Sequence, residues 1–156
     1  MKNKSFFRSL WNAMSGFMSA LKSERNLRID LVIADLVLIF AYAYGLDSAG
    51  YGVLILTICA VMSAELFNTS LEQLSNEVTE EYSERIKFAK DIAAAAVLVA
   101  AVGAVIVGVA LFLTDLEKCF MAVLNIAFSK RALALVIATL LLGAVFVLKY
   151  EKKGTK

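Results

Sequence analysis

Four long apolar stretches alternate with short polar segments along this chain. A helix that crosses a lipid bilayer needs about 20 mostly apolar residues. The stretches lie at about residues 29–46, 51–71, 92–113 and 132–148. The pattern therefore predicts four membrane-spanning helices. The first of them carries Asp30 and Asp35, and the last is short but uncharged.

The N-terminal segment, at about residues 5–24, has a different pattern. Apolar side chains recur there at three- and four-residue spacing, and polar ones fall largely between them. The apolar set is Phe6, Phe7, Leu10, Trp11, Met14, Phe17, Met18 and Leu21. This periodicity is typical of an amphipathic helix that lies in the membrane interface. We therefore predict an all-α integral membrane protein with one surface helix.

Composition supports a membrane protein and restricts its chemistry. Of the 156 residues, 60% are hydrophobic and 19% are charged, and the mean hydropathy is +0.75. In soluble domains about half of the residues are apolar and about a quarter are charged. The absence of histidine excludes His-based acid–base catalysis and Ser–His–Asp triads. Cys59 and Cys119 form neither a zinc motif nor a disulfide framework. A net charge of +2 does not indicate a nucleic-acid partner.

The basic residues predict how the chain is oriented. Cytoplasmic segments of membrane proteins carry an excess of Lys and Arg. Six basic residues precede the first span, three lie between the second and third spans, four lie in the tail, and the turn at residues 45–50 has none. With both termini cytoplasmic, thirteen of the sixteen basic residues lie on the cytoplasmic side.

Polar residues gather near the cytoplasmic end of the second span. Glu65, Asn68 and Glu72 lie three and seven residues apart, so they share one helix face. At 1.5 Å per residue, Glu65 lies about 21 Å into a span that starts at Tyr51, and Glu72 about 10 Å further, at the aqueous surface. Intramembrane acids are costly and indicate function by default. A purely structural contact between Glu65 and a neighbouring helix stays open.

Further acidic residues are predicted at the same surface. Glu24 follows the surface helix, and Asp91 opens the third span directly after Lys90. Gathering these carboxylates costs like-charge repulsion unless a cation joins them. Oxygen ligands suit a hard cation such as Mg²⁺, which usually keeps waters and substrate phosphates in its coordination shell. Lys90, Arg25 and Arg28 are then near enough to contact phosphate oxygens.

Three short blocks carry a more specific pattern. They are SERNLRI at 23–29, AELFNTSLE at 64–72 and AKDIAAAAV at 89–97. In sequence, order and spacing they resemble the bacterial diacylglycerol kinase / undecaprenol kinase family, over about residues 5–113. The form of the first block is similar to the Gram-positive branch of that family, whose lipid substrate is generally undecaprenol.

The resemblance implies a small homotrimeric lipid kinase of the bacterial plasma membrane, with three spans and a surface helix per subunit and with sites shared between subunits. By motif position, Glu65 matches the catalytic base, and Glu24 and Glu72 match the magnesium ligands. The positions that bind ATP or lie beside the base correspond to Lys90, Asp91, Asn68, Glu81 and Ser83, together with Glu24 and Glu72. ATP is thus the expected co-substrate and Mg²⁺ the expected cofactor.

The sequence departs from the family pattern at three places. Asn76 stands where the family usually has Asp, and Ser83 replaces a usual His. Residues 114–156 extend beyond the usual three-span ending. We interpret residues 1–113 as the kinase domain, and residues 114–156 as a loop, an additional span and a basic cytoplasmic tail.

Residues and resemblance together predict Mg²⁺- and ATP-dependent phosphorylation of a membrane lipid alcohol at the cytoplasmic face, with undecaprenol as the first choice. Diacylglycerol is the alternative acceptor, because both lipids present a primary alcohol at the same depth. A small proton-coupled transporter that uses Glu65 is an alternative from another class. A transporter would not explain why carboxylates gather at the cytoplasmic end of the second span, and it would not explain the pair Lys90–Asp91.

Overall fold

The structure is a computed structural model that describes residues 6–78 and 83–151. Its helices are α1 (Phe6–Ser23), α2 (Arg25–Tyr44), α3 (Ser48–Val78), α4 (Glu84–Phe112), α5 (Leu116–Phe128) and α6 (Lys130–Glu151). The described residues contain no strand, so the predicted all-α fold is confirmed. Gly45 ends α2 at a φ of 69°, a left-handed conformation that glycine adopts without strain.

Within the residues that the structure describes, three helices, α3, α4 and α6, are long and apolar enough to cross a membrane. With 31 and 29 residues, α3 and α4 measure about 46 and 44 Å, which exceeds the hydrocarbon core of about 30 Å. Each extends past its predicted span at the end next to residues 79–82. The 20-residue α2 has the length of a span, but Arg28, Asp30 and Asp35 make it more polar than the other three.

The hydrophobic core lies where α2 turns into α3. Its buried members are Ala41, Tyr44, Leu54, Phe112 and Ala122. The Phe112 ring contacts Phe40 and Tyr44 edge to face, with centroids 5.1 and 5.3 Å apart, a favourable aromatic geometry. This core joins α2, α3, α4 and α5 at one end of the bundle.

The helix α5 was not predicted, because the segment after residue 113 was interpreted as a loop. Asp115 starts this helix by accepting a hydrogen bond from the backbone N–H of Lys118 at 2.9 Å. The ammonium group of Lys118 donates to the carbonyl of Gly45 at 3.3 Å and lies 4.5 Å from the centre of the Tyr44 ring. With 13 residues, α5 is too short to span a bilayer, and it covers the end of α2.

The last helix, α6, packs against α2. A Cβ atom at Gly143 would lie 2.7 Å from the side chain of Val32, so only glycine allows this close approach. Further along, the Thr139 hydroxyl donates to the carboxylate of Asp35 at 2.7 Å. The fourth apolar stretch thus supplies the partner that the sequence did not show for Asp35.

We expect Thr139→Val to lower the free energy of unfolding by about 1 kcal/mol, because interhelical hydrogen bonds in membranes contribute about that much. The measurement is unfolding of the protein in mixed micelles by increasing SDS. Thr139→Ser keeps the hydroxyl and is the control. Equal stability of the valine and serine variants would contradict the contribution assigned to this hydrogen bond.

Candidate functional site

The site begins at the junction between the surface helix and α2. The chain leaves helical geometry at Glu24 (φ −98°, ψ 122°), which is the N-cap residue of α2. The Arg28 side chain is 1% exposed, and its Nη1 donates to the carbonyls of Leu21 at 2.9 Å and Lys22 at 3.1 Å. The prediction that Arg28 faces phosphate oxygens is therefore wrong, since the guanidinium is buried against the end of α1.

Glu65 lies at the centre of the acidic cluster. Its side chain is only 6% exposed. It interacts electrostatically with Asp30, Glu24 and Glu72, and the side-chain amide of Asn26 donates a hydrogen bond to it. The predicted base and both predicted metal ligands therefore lie near enough for their charges to interact.

The next turn of α3 adds an amide to the cluster. Asn68 Nδ2 donates to Glu72 Oε1 at 3.4 Å, which confirms that the two residues share a helix face. The Asn68 Oδ1 atom is buried and has no hydrogen-bond partner within the described part of the chain. A buried acceptor without a partner is costly, and it offers a place for a donor or a cation.

The remaining predicted residues lie further from Glu65. The Lys90 ammonium donates to Asn76 Oδ1 at 3.4 Å, which ties α4 to the end of α3, one helical turn beyond Glu72. Asp91 is exposed, and Ser83 is the half-buried N-cap residue of α4. Glu81 lies outside the described residues. The structure thus brings Lys90 near the cluster and shows no contact between Glu65 and either Asp91 or Ser83 within the residues it describes.

Asp30 is a site residue that the sequence reasoning missed. It was expected to face water at the membrane boundary, but it is half-buried and interacts with Glu65. Asn26 and Asp30 lie four residues apart, so they share a face of α2. That spacing could have been read from the sequence, and both residues act on the carboxylate of Glu65.

Two clefts lie along α3 on either side of Glu65 in the sequence, the first reaching Met62 and the second beginning at Leu66. A cleft of about 640 Å³ between α2, α3 and α4 is apolar apart from Asp30 and Thr57 and reaches Phe40 and Phe112. A second cleft of about 500 Å³ lies between α1 and α3, and we call it the polar cleft because its lining includes the polar side chains of Ser19, Ser23, Thr69, Ser70 and Gln73. Both volumes are in the range of small-molecule sites. Asp30 thus links the first cleft to Glu65 through its charge, and the buried Thr69 lines the second cleft one helical turn after Glu65.

The carboxylates fit a hard cation shared with a ligand. Within residues 6–78 and 83–151, no three acidic or Cys side chains are close enough to hold a metal ion by themselves. Mg²⁺ is usually bound by one or two carboxylates together with substrate phosphates and water. Glu24 and Glu72, with the buried oxygen of Asn68, have the chemistry of such a partial shell.

Comparison with known proteins confirms the resemblance. The family model for prokaryotic diacylglycerol kinase matches residues 11–112. A diacylglycerol kinase of Synechocystis sp. is 42% identical over 111 residues, which cover 70% of this chain and 62% of the relative. An undecaprenol kinase of Bacillus subtilis is 34% identical over 111 residues, which cover 71% of this chain and 90% of the relative. No solved structure matches the chain. The helices α5 and α6 lie beyond the residues that the family model matches.

Proposed function

This chain belongs to the prokaryotic diacylglycerol kinase family, and from that premise we propose that it transfers the γ-phosphoryl group of ATP to a lipid alcohol in the membrane. One observation carries the proposal: Glu65, which is 6% exposed, lies on α3 between the residues that line an apolar cleft, which end at Met62, and those that line the second cleft, which begin at Leu66. A lipid kinase needs both environments, because its lipid substrate is apolar and ATP is highly charged. The family gives no support to the transporter alternative.

The apolar cleft suits the chain of the lipid. Its wall on α2 runs from Asp30 to Phe40, which is about 15 Å along a helix. A hydrocarbon tail that enters from the membrane can lie against this wall, while its alcohol stays beside Asp30. In this arrangement the hydroxyl reaches the cluster around Glu65 without the tail leaving lipid.

The polar cleft suits the nucleotide. Hydroxyl and amide groups of α1 and α3 line it, and these groups donate to ribose and phosphate oxygens. Lys90 donates a hydrogen bond to Asn76, one helical turn beyond Glu72 on α3. Its ammonium group supplies a positive charge for the phosphates. When bound, Mg²⁺ would be held by Glu24, Glu72 and phosphate oxygens and would neutralise phosphate charge.

The proposed reaction is a direct transfer. The lipid hydroxyl oxygen attacks the γ-phosphorus and forms a new O–P bond. The bond from the γ-phosphorus to the bridging oxygen breaks, and ADP leaves with that oxygen and its electron pair. Glu65 accepts the hydroxyl proton as general base. The chain contributes mainly position and charge stabilisation, which dominate phosphoryl transfer.

Undecaprenol is the proposed acceptor, and diacylglycerol is the second candidate. The SERNLRI block supports undecaprenol, as does the undecaprenol kinase that this chain matches over 90% of its length. The higher identity, 42%, to a diacylglycerol kinase favours the second candidate. Both acceptors would react by the same proton transfer to Glu65.

The proposal includes a homotrimer with shared sites, in which residues 1–113 form the kinase unit. Asp91 and Ser83 do not contact Glu65 within the described residues of one chain, so a neighbouring subunit could bring them to it. Both termini would lie on the cytoplasmic side of a bacterial plasma membrane. The distribution of basic residues supports this orientation.

The test is a transfer assay with the full-length protein in lipid nanodiscs. It supplies Mg²⁺, ATP labelled with ³²P at the γ-position, and either undecaprenol or diacylglycerol. We expect label in undecaprenyl phosphate at the higher rate. A higher rate with diacylglycerol would reverse the acceptor assignment, and label in neither lipid would overturn the proposed function.

Lys90→Met is expected to raise the KM for ATP by about 10- to 100-fold, because a hydrogen bond to a charged group contributes about 1.5–3 kcal/mol. Lys87, one turn earlier on α4, is exposed, and Lys87→Met is the matched control. The KM for ATP is measured by steady-state kinetics, with the ATP concentration varied at saturating lipid. If the two variants have the same KM, Lys90 does not bind the phosphates.

A further inference from the structure

Arg28 is the most deeply buried charged side chain in the described part of the chain, at 1% exposed. It reaches back six and seven residues to the carbonyls of Lys22 and Leu21. These carbonyls belong to the last turn of α1, where the helix itself supplies no further N–H donors. A cation at a helix C-terminus also interacts favourably with the helix dipole. Arg28 therefore fastens the end of α1 to α2.

The junction between α1 and α2, which Arg28 stabilises, carries residues of the acidic cluster and of the polar cleft. Glu24 stands between the two helices and interacts with Glu65. On the α1 side, Ser19 and Ser23 line the polar cleft. The position of these groups relative to α3 depends on the angle at which α1 leaves the junction. Apolar packing alone would fix that angle loosely, because α1 makes few contacts with α3.

We infer that Arg28 is a positioning residue, which holds α1 so that Glu24 faces Glu65 and the polar cleft keeps its shape. Arg28 touches neither substrate in this inference and acts through Glu24 and the serines of α1. The expected consequence for metal binding rests on the proposed function, in which Glu24 binds the ion of the nucleotide complex. The expected consequence for the position of α1 does not rest on it.

The variants are Arg28→Lys and Arg28→Gln in the full-length chain. Lysine keeps the charge but lacks the planar, rigid guanidinium, and glutamine removes the charge. Arg8 lies on α1, the helix whose end Arg28 binds, and is exposed, so Arg8→Gln is the matched control. The lysine variant keeps the test decisive if the glutamine variant does not fold.

The first measurement is the distance between α1 and α3 by double electron–electron resonance. One nitroxide is placed at Met14→Cys, which is exposed on α1, and the other at the exposed native Cys59 on α3, with Cys119→Ser in every variant. The labelled protein is diluted with an excess of unlabelled chain in which Cys59 and Cys119 are both replaced by Ser, so that distances between subunits do not contribute. We then expect a single narrow distance distribution with Arg28 present. The distribution should broaden or shift in both Arg28 variants and stay unchanged in Arg8→Gln. An unchanged distribution in folded Arg28→Lys and Arg28→Gln would overturn the inference.

The second measurement is binding of Mn²⁺, as a paramagnetic substitute for Mg²⁺, to the protein saturated with ATP. We expect Arg28→Lys to weaken Mn²⁺ binding about tenfold, while kcat at saturating Mg²⁺ stays within about twofold of wild type. A lower kcat with unchanged Mn²⁺ affinity would indicate a general structural role and would overturn the positioning role. If the wild-type protein phosphorylates no lipid, the proposed function fails, and the distance measurement still decides whether Arg28 fixes α1.

Discussion

Glu65→Gln is expected to abolish lipid phosphorylation, with kcat lowered by about 10²- to 10⁴-fold, the range that general-base catalysis contributes. Glutamine has nearly the same shape as glutamate but cannot accept a proton. The side chain is 6% exposed among Glu24, Asp30 and Glu72, so bulk water has little access to replace it as a base. Transfer of ³²P from ATP to the lipid under single-turnover conditions measures the effect.

Binding of ATP to the Glu65→Gln variant should remain close to wild type, because Glu65 contacts the alcohol in the proposed reaction. Glu77 is exposed at the far end of the same helix, and Glu77→Gln is the control that should leave kcat unchanged. A Glu65→Gln variant that retains a tenth or more of the wild-type kcat would rule out the base role. Loss of ATP binding together with activity would instead assign Glu65 to the nucleotide site.

Glu72→Gln should raise the Mg²⁺ concentration needed for half-maximal activity by about tenfold or more. Loss of a group that merely orients a metal ligand typically costs about 10- to 100-fold in metal affinity, so loss of a ligand should cost at least as much. The variant also changes the carboxylate that accepts a hydrogen bond from Asn68. Activity measured over a Mg²⁺ titration tests this, and activity should partly return at high Mg²⁺.

The same control, Glu77→Gln, should reproduce the wild-type Mg²⁺ titration. If Glu72→Gln also follows the wild-type curve, Glu72 is not a metal ligand. If its kcat falls without any change in Mg²⁺ dependence, the residue acts on the reacting groups and not on the ion. These outcomes separate metal binding from a direct role in phosphoryl transfer.

The sequence predicted features that depend on one helix at a time. The i, i+3, i+7 spacing of Glu65, Asn68 and Glu72 specifies a shared face regardless of what packs against it. The same reasoning identified the surface helix, observed as Phe6–Ser23, and the all-α class. Helix periodicity and length therefore carried the prediction of the all-α class and of the face that Glu65, Asn68 and Glu72 share.

Features that depend on which helices meet were not predictable from one sequence. The partner of Asp35 is Thr139, 104 residues away, and Lys90 on α4 meets Asn76 on α3. The register of one helix against another decides both contacts, and periodicity does not specify register. The burial of Arg28 likewise depends on the path of the chain at Glu24, where the helix is interrupted.

The helix α5 shows another limit of sequence patterns. Its 13 residues are too few for a span, so a search for apolar stretches of about 20 residues passes over them. Its contacts with Tyr44 and Gly45 stabilise it as part of the bundle. Tertiary packing of one apolar face stabilises most short helices in proteins, and that packing is visible only in the fold.

The most direct test of the central claim is a structure of the protein in lipid with Mg²⁺, a non-hydrolysable ATP analogue and a short-chain prenol. The account predicts the prenol hydroxyl within about 2.6–3.2 Å of the Glu65 carboxylate, with its tail in the cleft along α2. The γ-phosphate should lie on the other side of that hydroxyl, with the metal at Glu24 and Glu72. A prenol hydroxyl far from Glu65, or packed helices between Glu65 and the nucleotide, would contradict the account.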